Sequence, residues 1–301
     1  GDNNTASIGD KVEFKTTITA QPGARRYVLH DKMDEGLTFD INSVQVKLKK
    51  NDGTTENAVE DSAFEVKSSE LENPNPCTFH VEFTQAFCNT LKANDQIIVT
   101  YSATLNEKAV IAGEGNKNET WLKYGDSSTT THSTTTTKTF ELPVFKYTMK
   151  NSTEKALAGA TFTLSKNNTG AEPIKLVNGK NNIYRVATTD ETNTMTEVTT
   201  TDSGKFTIEG LSAGTYYLTE TKQPDGYNKL SAPITVVIDE NGNITVNDQT
   251  SSVTEVKVLN NTGTILPTTG GNGTSLIYFL GAVLALVSGV VLITKQRMKN
   301  S

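Results

Sequence analysis

Apolar and polar residues alternate with a period of two through "KVEFKTTITA" (11–20), "YVLHD" (27–31), "SVQVKLKK" (43–50), "FHVEF" (79–83) and "IIVTYSATL" (97–105). Successive side chains of a strand point to opposite faces, so the pattern predicts half-buried strands and argues against a helical bundle. Only "TQAFCNTLKA" (84–93) reads as helix in this half. The alternation resumes in "FELPVFKYTM" (140–149), "ATFTLSK" (160–166), "GKFTIEGL" (204–211), "GTYYLTET" (214–221), "APITVVID" (232–239), "GNITVN" (242–247) and "VTEVKVLN" (253–260). Short strands with turn signals about every 8–12 residues predict an all-β chain of two sandwiches in series, residues 1–126 and 139–262. Between them "DSSTTTHSTTTTKT" (126–139) is almost all Thr and Ser. Residues 127–138 therefore read as an extended, strand-compatible connector on the outside.

The C-terminus places these sandwiches outside a cell. Residues 275–294 are twenty in a row without a charge, twelve of them Leu, Ile, Val or Phe. A helix of that length spans a bilayer core of about 30 Å, and such residues favour insertion. Lys295, Arg297 and Lys299 follow at once and place that end in the cytoplasm. The start, "GDNNTASIGD", has neither a basic nor an apolar stretch, so the expectation is a chain processed or truncated at its N-terminus. Cys77 and Cys88 lie in the exterior part, where a disulfide is permitted. Cys77 shares parity with Phe79, Val81 and Phe83, so a buried thiol and a bridge to Cys88 both remain open.

The net charge of −6 excludes the basic footprint of a nucleic-acid binder. His30, His80 and His132 are scattered, with no HExxH, no CxxC and no Gly-rich phosphate loop. His30 and Asp31, adjacent in a strand, point to opposite faces and cannot act as a pair. The reading is a protein that is not an enzyme, with no metal and no cofactor.

Just before the apolar run stand Leu266, Pro267, Thr268, Thr269 and Gly270, in a stretch that favours no regular structure. Pro267 holds the chain extended and kinked, and Gly270 permits close approach by another backbone. The order of LPxTG pentapeptide, apolar span and short basic tail resembles the cell-wall sorting signal of Gram-positive surface proteins. That resemblance implies cleavage by a sortase between Thr269 and Gly270, transfer of the Thr269 carbonyl to an amine, and attachment to peptidoglycan. Membrane insertion by residues 263–301 is then transient.

In the second sandwich, "ALAGATFTL" (156–164) and "GTYYLTETKQPDGY" (214–227) resemble the B-type repeat domain of collagen-binding surface proteins and pilins. The resemblance covers residues 139–262. It implies an immunoglobulin-like sandwich whose first and last strands are joined by a Lys–Asn isopeptide bond assisted by a Glu. The matching residues are Lys146 in "LPVFKY", Asn260 in "VKVLN" and, as catalytic acid, Glu220. Parity agrees: Lys146 shares a face with Leu142 and Val144, Asn260 with Val256 and Val258, and Glu220 with Leu218. Lys150 has the same parity as Lys146 and is the reserve amine, whereas Asn261 falls on the wrong face. Burial is required, because desolvation lowers a lysine pKa and raises that of a carboxylic acid, leaving a nucleophilic amine beside a proton donor.

In the first sandwich, "SIGDKVEFKTTI" (7–18), "YVLHDKMDEGLTF" (27–39) and "IIVTYSATLNEKAVIAGEGNKNETWLKYGD" (97–126) resemble the isopeptide-forming domain of fimbrial backbone subunits. The resemblance makes Asp31 the catalytic acid and Asn118 the acceptor, with Asn116 in reserve. Lys11 and Lys15 have the parity opposite Val12 and Phe14 and should face solvent, so the amine partner is expected upstream of Gly1, or the bond is absent. The expectation as a whole is a pilus shaft subunit joined to neighbouring pilin subunits. The alternative is a monomeric wall-anchored adhesin or ancillary pilin with a host surface ligand.

Overall fold

The computed structural model describes residues 3–53, 56–68 and 77–262. The pentapeptide Leu266 to Gly270, the apolar run 275–294 and the basic tail lie outside them. Among the described residues, no helix is long and apolar enough to cross a membrane.

The first half comprises β1 (Asn3–Thr5), β2 (Lys11–Thr19), β3 (Val28–Met33), β4 (Leu37–Lys49), β5 (Asn57–Ala58), β6 (Phe64–Lys67) and β7 (Phe79–Phe83). After a short helix, α1 (Gln85–Thr90), come β8 (Gln96–Leu105), β9 (Asn116–Tyr124), β10 (Ser128–Thr129) and β11 (Ser133–Lys138). One sheet runs β1-β11-β9-β3-β7-β6 with β10 on β9, and the other β2-β8-β4-β5. They face each other through aromatic rings: Phe79 stacks on Phe39 with centroids 3.9 Å apart and meets Tyr101 edge-on at 4.9 Å. In β2, Val12, Phe14 and Ile18 are buried while Lys11 and Lys15 are exposed, as the alternation requires.

The Thr-rich run does not behave as a connector. β11 pairs with β9 along its length (Ser133↔Thr120 to Thr137↔Asn116) and takes β1 as a parallel partner. Thr is β-branched and fits a half-buried pleated surface, so this stretch completes the first sheet. Only Thr139, fully buried, separates β11 from the next strand.

The second half comprises β12 (Phe140–Lys150), β13 (Thr153–Ala156), β14 (Thr161–Ser165), β15 (Leu176–Asn178), β16 (Ile183–Val186) and β17 (Val198–Thr199). It continues with β18 (Lys205–Leu211), β19 (Gly214–Lys222), β20 (Ile234–Ile238), β21 (Ile244–Val246) and β22 (Val256–Leu259). One sheet is ordered β13-β12-β18-β16-β15 with β22 on β12, and the other β17-β14-β19-β20-β21. Phe162 of β14 and Phe206 of β18 meet across the interface, centroids 5.7 Å apart. First and last strands are parallel neighbours, with Lys146 opposite Val258.

Residues 1–225 and 229–260 form one compact unit. Within it the end of β1 and the segment after it bond directly to the second sandwich. Ile8 N donates to the Gly210 carbonyl at 2.9 Å, Ser212 N to Ser7 Oγ at 3.0 Å, and Ala213 N to Thr5 Oγ1 at 3.2 Å. Gly210 has φ +87, and a Cβ there would meet Ile8 Cδ1 at 2.7 Å, so the approach depends on glycine. Residues 226–228 and 261–262 belong to a second unit, in which Tyr227 and Thr262 form an isolated bridge.

Cys77 and Cys88 are both buried and are not joined in a disulfide. Cys88 packs in the apolar core, but Cys77 does not take the core position that its parity suggested: its Sγ lies 3.4 Å from His30 Nδ1. The strand begins only at Phe79, so the alternation does not extend back to Cys77.

Candidate functional site

Lys146, Glu220 and Asn260 come from three strands or strand ends and meet inside the second sandwich. β12 turns Leu142, Val144 and Lys146 to the core because these alternate with half-buried or exposed residues. The Lys146 side chain is 0% exposed, and its Nζ lies 3.5 Å from Glu220 Oε1 and donates to the Val258 carbonyl at 3.3 Å. Glu220 Oε2 accepts from Asn260 Nδ2 at 3.2 Å and from Leu230 N at 2.8 Å. Asn260 is 1% exposed, and its backbone N bonds to the Tyr147 carbonyl at 3.0 Å, which fixes the residue just past the end of β22.

Burial pushes the Lys146 ammonium down from its ordinary 10.5 to about 8, against the opposing pull of the Glu220 carboxylate. About a tenth of the amine is then neutral at pH 7, far more than for an ordinary lysine. An ion pair that served only stability would need the lysine and the glutamate alone. Here one carboxylate holds the amine on one oxygen and the amide on the other, which is the arrangement of nucleophile, proton carrier and electrophile.

Lys150 and Asn261, the alternatives by parity or proximity, are both exposed. Lys150 lies opposite Thr153 at the tip of the β12–β13 hairpin, past the core, so its parity has nothing to face. Gly204 sets the position of Lys146. Its carbonyl accepts from Lys146 N at 2.8 Å, its φ is +67, and a Cβ there would lie 2.3 Å from the Lys146 carbonyl oxygen. Gly204→Ala should lower stability by about 2–4 kcal/mol through strain and loss of this pairing, read from the denaturant midpoint.

The first sandwich holds a second buried polar cluster. Asp31 is fully buried on β3, and its Oδ2 accepts from Tyr101 Oη and, at 3.0 Å, from Asn118 Nδ2. Asn118 Nδ2 also lies 3.1 Å from Tyr101 Oη. Among the described residues, Asp31 Oδ1 and Asn118 Oδ1 are buried without a hydrogen bond. Burial raises the Asp31 carboxyl to about 7, more than the two donated hydrogen bonds lower it, and it also raises the Tyr101 phenol. Asn116 is elsewhere, capping Val110 N and donating to the Thr137 carbonyl, so it serves the backbone. No lysine joins this cluster among the described residues. The inward position on β2 nearest to it is Thr16, and a cleft of about 470 Å3 lined by Thr16, Tyr101, Asn118, Thr120 and Thr135 opens beside it.

Tyr101 was not singled out from the sequence. Its only signal was a place on the face shared by Val99 and Ala103, which every core residue of β8 has. Leu230, whose amide anchors Glu220, lies in irregular chain where no periodicity could mark it.

Residues 8–128 match the Gram-positive pilin backbone subunit 2, Cna-B-like domain family, and residues 145–251 match the SpaA prealbumin-like fold domain family. The chain is 24% identical over 233 residues to the trypsin-resistant surface T6 protein of Streptococcus pyogenes serotype M6, covering 74% of this chain and 41% of that protein. In structure it is similar to a group B streptococcus pilus 2b backbone protein, with TM-score 0.61, 25% identity, and coverage of 89% of this chain and 98% of that one. The full-length major pilin RrgB of Streptococcus pneumoniae shares the fold at TM-score 0.55 and 16% identity, over 87% of this chain and 71% of that one.

Proposed function

We infer that this chain, in which a Gram-positive pilin backbone domain precedes a SpaA-type prealbumin-like domain, is a shaft subunit of a Gram-positive pilus. The observation that carries the reading is the span of the likeness to the group B streptococcal backbone protein, which takes in both sandwiches and nearly the whole of that chain. In this reading the modules are residues 1–138, with the Thr-rich strand as part of the first sheet, and 139–262, and residues 263–301 form the sorting signal with its transient membrane helix and basic tail. Sortase joins Thr269 to an amine of the next subunit or of peptidoglycan, and the chain ends on the cell surface. The protein is a substrate of that enzyme and performs only one reaction, upon itself.

That reaction is condensation of Lys146 with Asn260. The neutral amine attacks the Asn260 side-chain carbonyl carbon, a C–N bond forms, and the original amide nitrogen leaves as ammonia. Glu220 accepts the proton lost by the amine and returns it to the leaving nitrogen, so the proton count balances. Asp31 and Asn118 are the corresponding acid and acceptor of the first sandwich, still requiring an amine. The distances around Glu220 and the depressed Lys146 pKa support the first assignment.

A denaturing gel of cell-wall extract tests the shaft assignment. Covalent polymers should run as a ladder of species spaced by one subunit. A single band at subunit size would instead make the chain a wall-anchored adhesin or ancillary pilin, with a host surface ligand as its partner.

A further inference from the structure

The outer face of the first sandwich gathers all three histidines of the chain, its only tryptophan and one of its two cysteines. His80 on β7 and His30 on β3 are direct cross-strand partners, and His30 in turn lies opposite Trp121 on β9. The Trp121 ring stacks on His30 at 5.2 Å and on His132 at 4.5 Å. Cys77 enters from just before β7, three residues ahead of His80, with Thr78 N bonded to the Asp31 carbonyl at 2.6 Å. One ligand-capable atom from each of His30, Cys77 and His80 lies within 4.8 Å of the other two.

We propose that His30, Cys77 and His80 bind one transition-metal ion of the zinc class. The ligand set, two imidazoles and a thiolate, suits borderline-soft ions such as Zn(II) and disfavours Mg(II) and Ca(II), which take oxygen. Bond lengths of about 2.0–2.3 Å in a tetrahedral site put neighbouring ligand atoms roughly 3.3–3.8 Å apart. The His30 Nδ1 to Cys77 Sγ separation of 3.4 Å is already one such edge. The remaining edges close with side-chain adjustments of about 1 Å, while the strand ladder holds the two histidine backbones. Trp121 stacks on the His30 ring from the β9 side and restricts its plane.

Binding replaces the Cys77 S–H proton with the metal, so one proton is released per ion. His30 and Cys77 are buried and His80 half-buried, and a tetrahedral ion would take its fourth ligand from outside these three residues. Cys88, packed in the core with the opposite environment, takes no part.

The test uses the full chain, reduced and stripped with a chelator, titrated with Co(II) as a spectroscopic probe and then with Zn(II). The expected result is one Co(II) per chain, with intense visible bands of a tetrahedral ion and a near-ultraviolet thiolate-to-cobalt band, both abolished by Zn(II). Cys77→Ser should remove the charge-transfer band and weaken binding by about 100-fold or more, and His80→Asn should weaken it by at least about 10-fold. Cys88→Ser should leave spectrum and affinity unchanged. If Cys77→Ser does not fold, as judged by far-ultraviolet circular dichroism, the half-buried His80→Asn decides alone. A Co(II) spectrum that stays that of the hydrated ion, or a charge-transfer band lost with Cys88 rather than Cys77, would overturn the proposal.

Discussion

The intact protein should weigh one ammonia less than its sequence mass, and a tryptic digest should contain a branched peptide joining the β12 segment to the β22 segment. Lys146→Ala removes the nucleophile, Asn260→Ala the electrophile, and Glu220→Ala the proton carrier, so each should restore the full mass. The variants should still fold, since the bond forms between strands that pack first, and should be cut faster by trypsin. Closing a loop of more than a hundred residues is worth roughly 4–5 kcal/mol on the chain-entropy view, so the denaturation midpoint should fall accordingly. A pH profile adds an independent readout. With the bond absent, as in Asn260→Ala, the folded amine titrates at about 8 and the unfolded amine near 10.5. The folded state then holds fewer protons between these values, so stability rises with pH across that window, and the cost of burying the ammonium is fully present below about 8. In the bonded protein no ammonium exists, and this contribution to the slope disappears. Wild-type protein of full sequence mass would refute the cross-link; full mass in a Lys150→Ala variant with a persistent deficit in Lys146→Ala would reassign its amine.

The second large effect concerns the C-terminal signal. In the proposed reading, Thr269 is the residue whose carbonyl sortase transfers. Deletion of residues 266–270 should abolish wall linkage and leave the protein in the membrane fraction or the medium. Thr269→Ala should reduce linkage strongly. Cell fractionation with and without muramidase digestion measures this directly, and normal recovery of wall-linked deletion mutant would sink the assignment.

Strand faces were legible because alternation depends on local sequence and burial alone. β2, β7 and β8 lie where the period-two runs placed them, α1 falls within the one helical stretch, and Asp31 turns inward while His30 turns outward. The same rule put Lys146 in the core. It could not separate Lys146 from Lys150, because parity says which way a side chain points and nothing about whether the opposing sheet extends that far. At the Thr-rich run, composition marked strand-compatible chain, but with no apolar alternation nothing signalled that β9 and β1 hold it within the first sheet. What no local rule could supply is the meeting of distant residues. Tyr101 reaches Asp31 across the sandwich, and His30 finds Cys77 and His80 only because β3 and β7 are paired in a particular register.

The parallel adjacency of β12 and β22 has a mechanical consequence. Tension applied along the polypeptide pulls β12 from its N-terminal end and β22 from its C-terminal end, in opposite directions. Neighbouring parallel strands loaded this way slide past one another, so their hydrogen bonds bear the load together rather than parting one at a time. With Lys146 joined to Asn260, the load passes across that covalent junction, and the roughly 110 residues between them are spared. At about 3.4 Å per residue, some 370 Å of chain would be withheld from stretching in every subunit. A fibre of such units would resist drag with little elongation, and would lengthen only through the portions outside the closed loop.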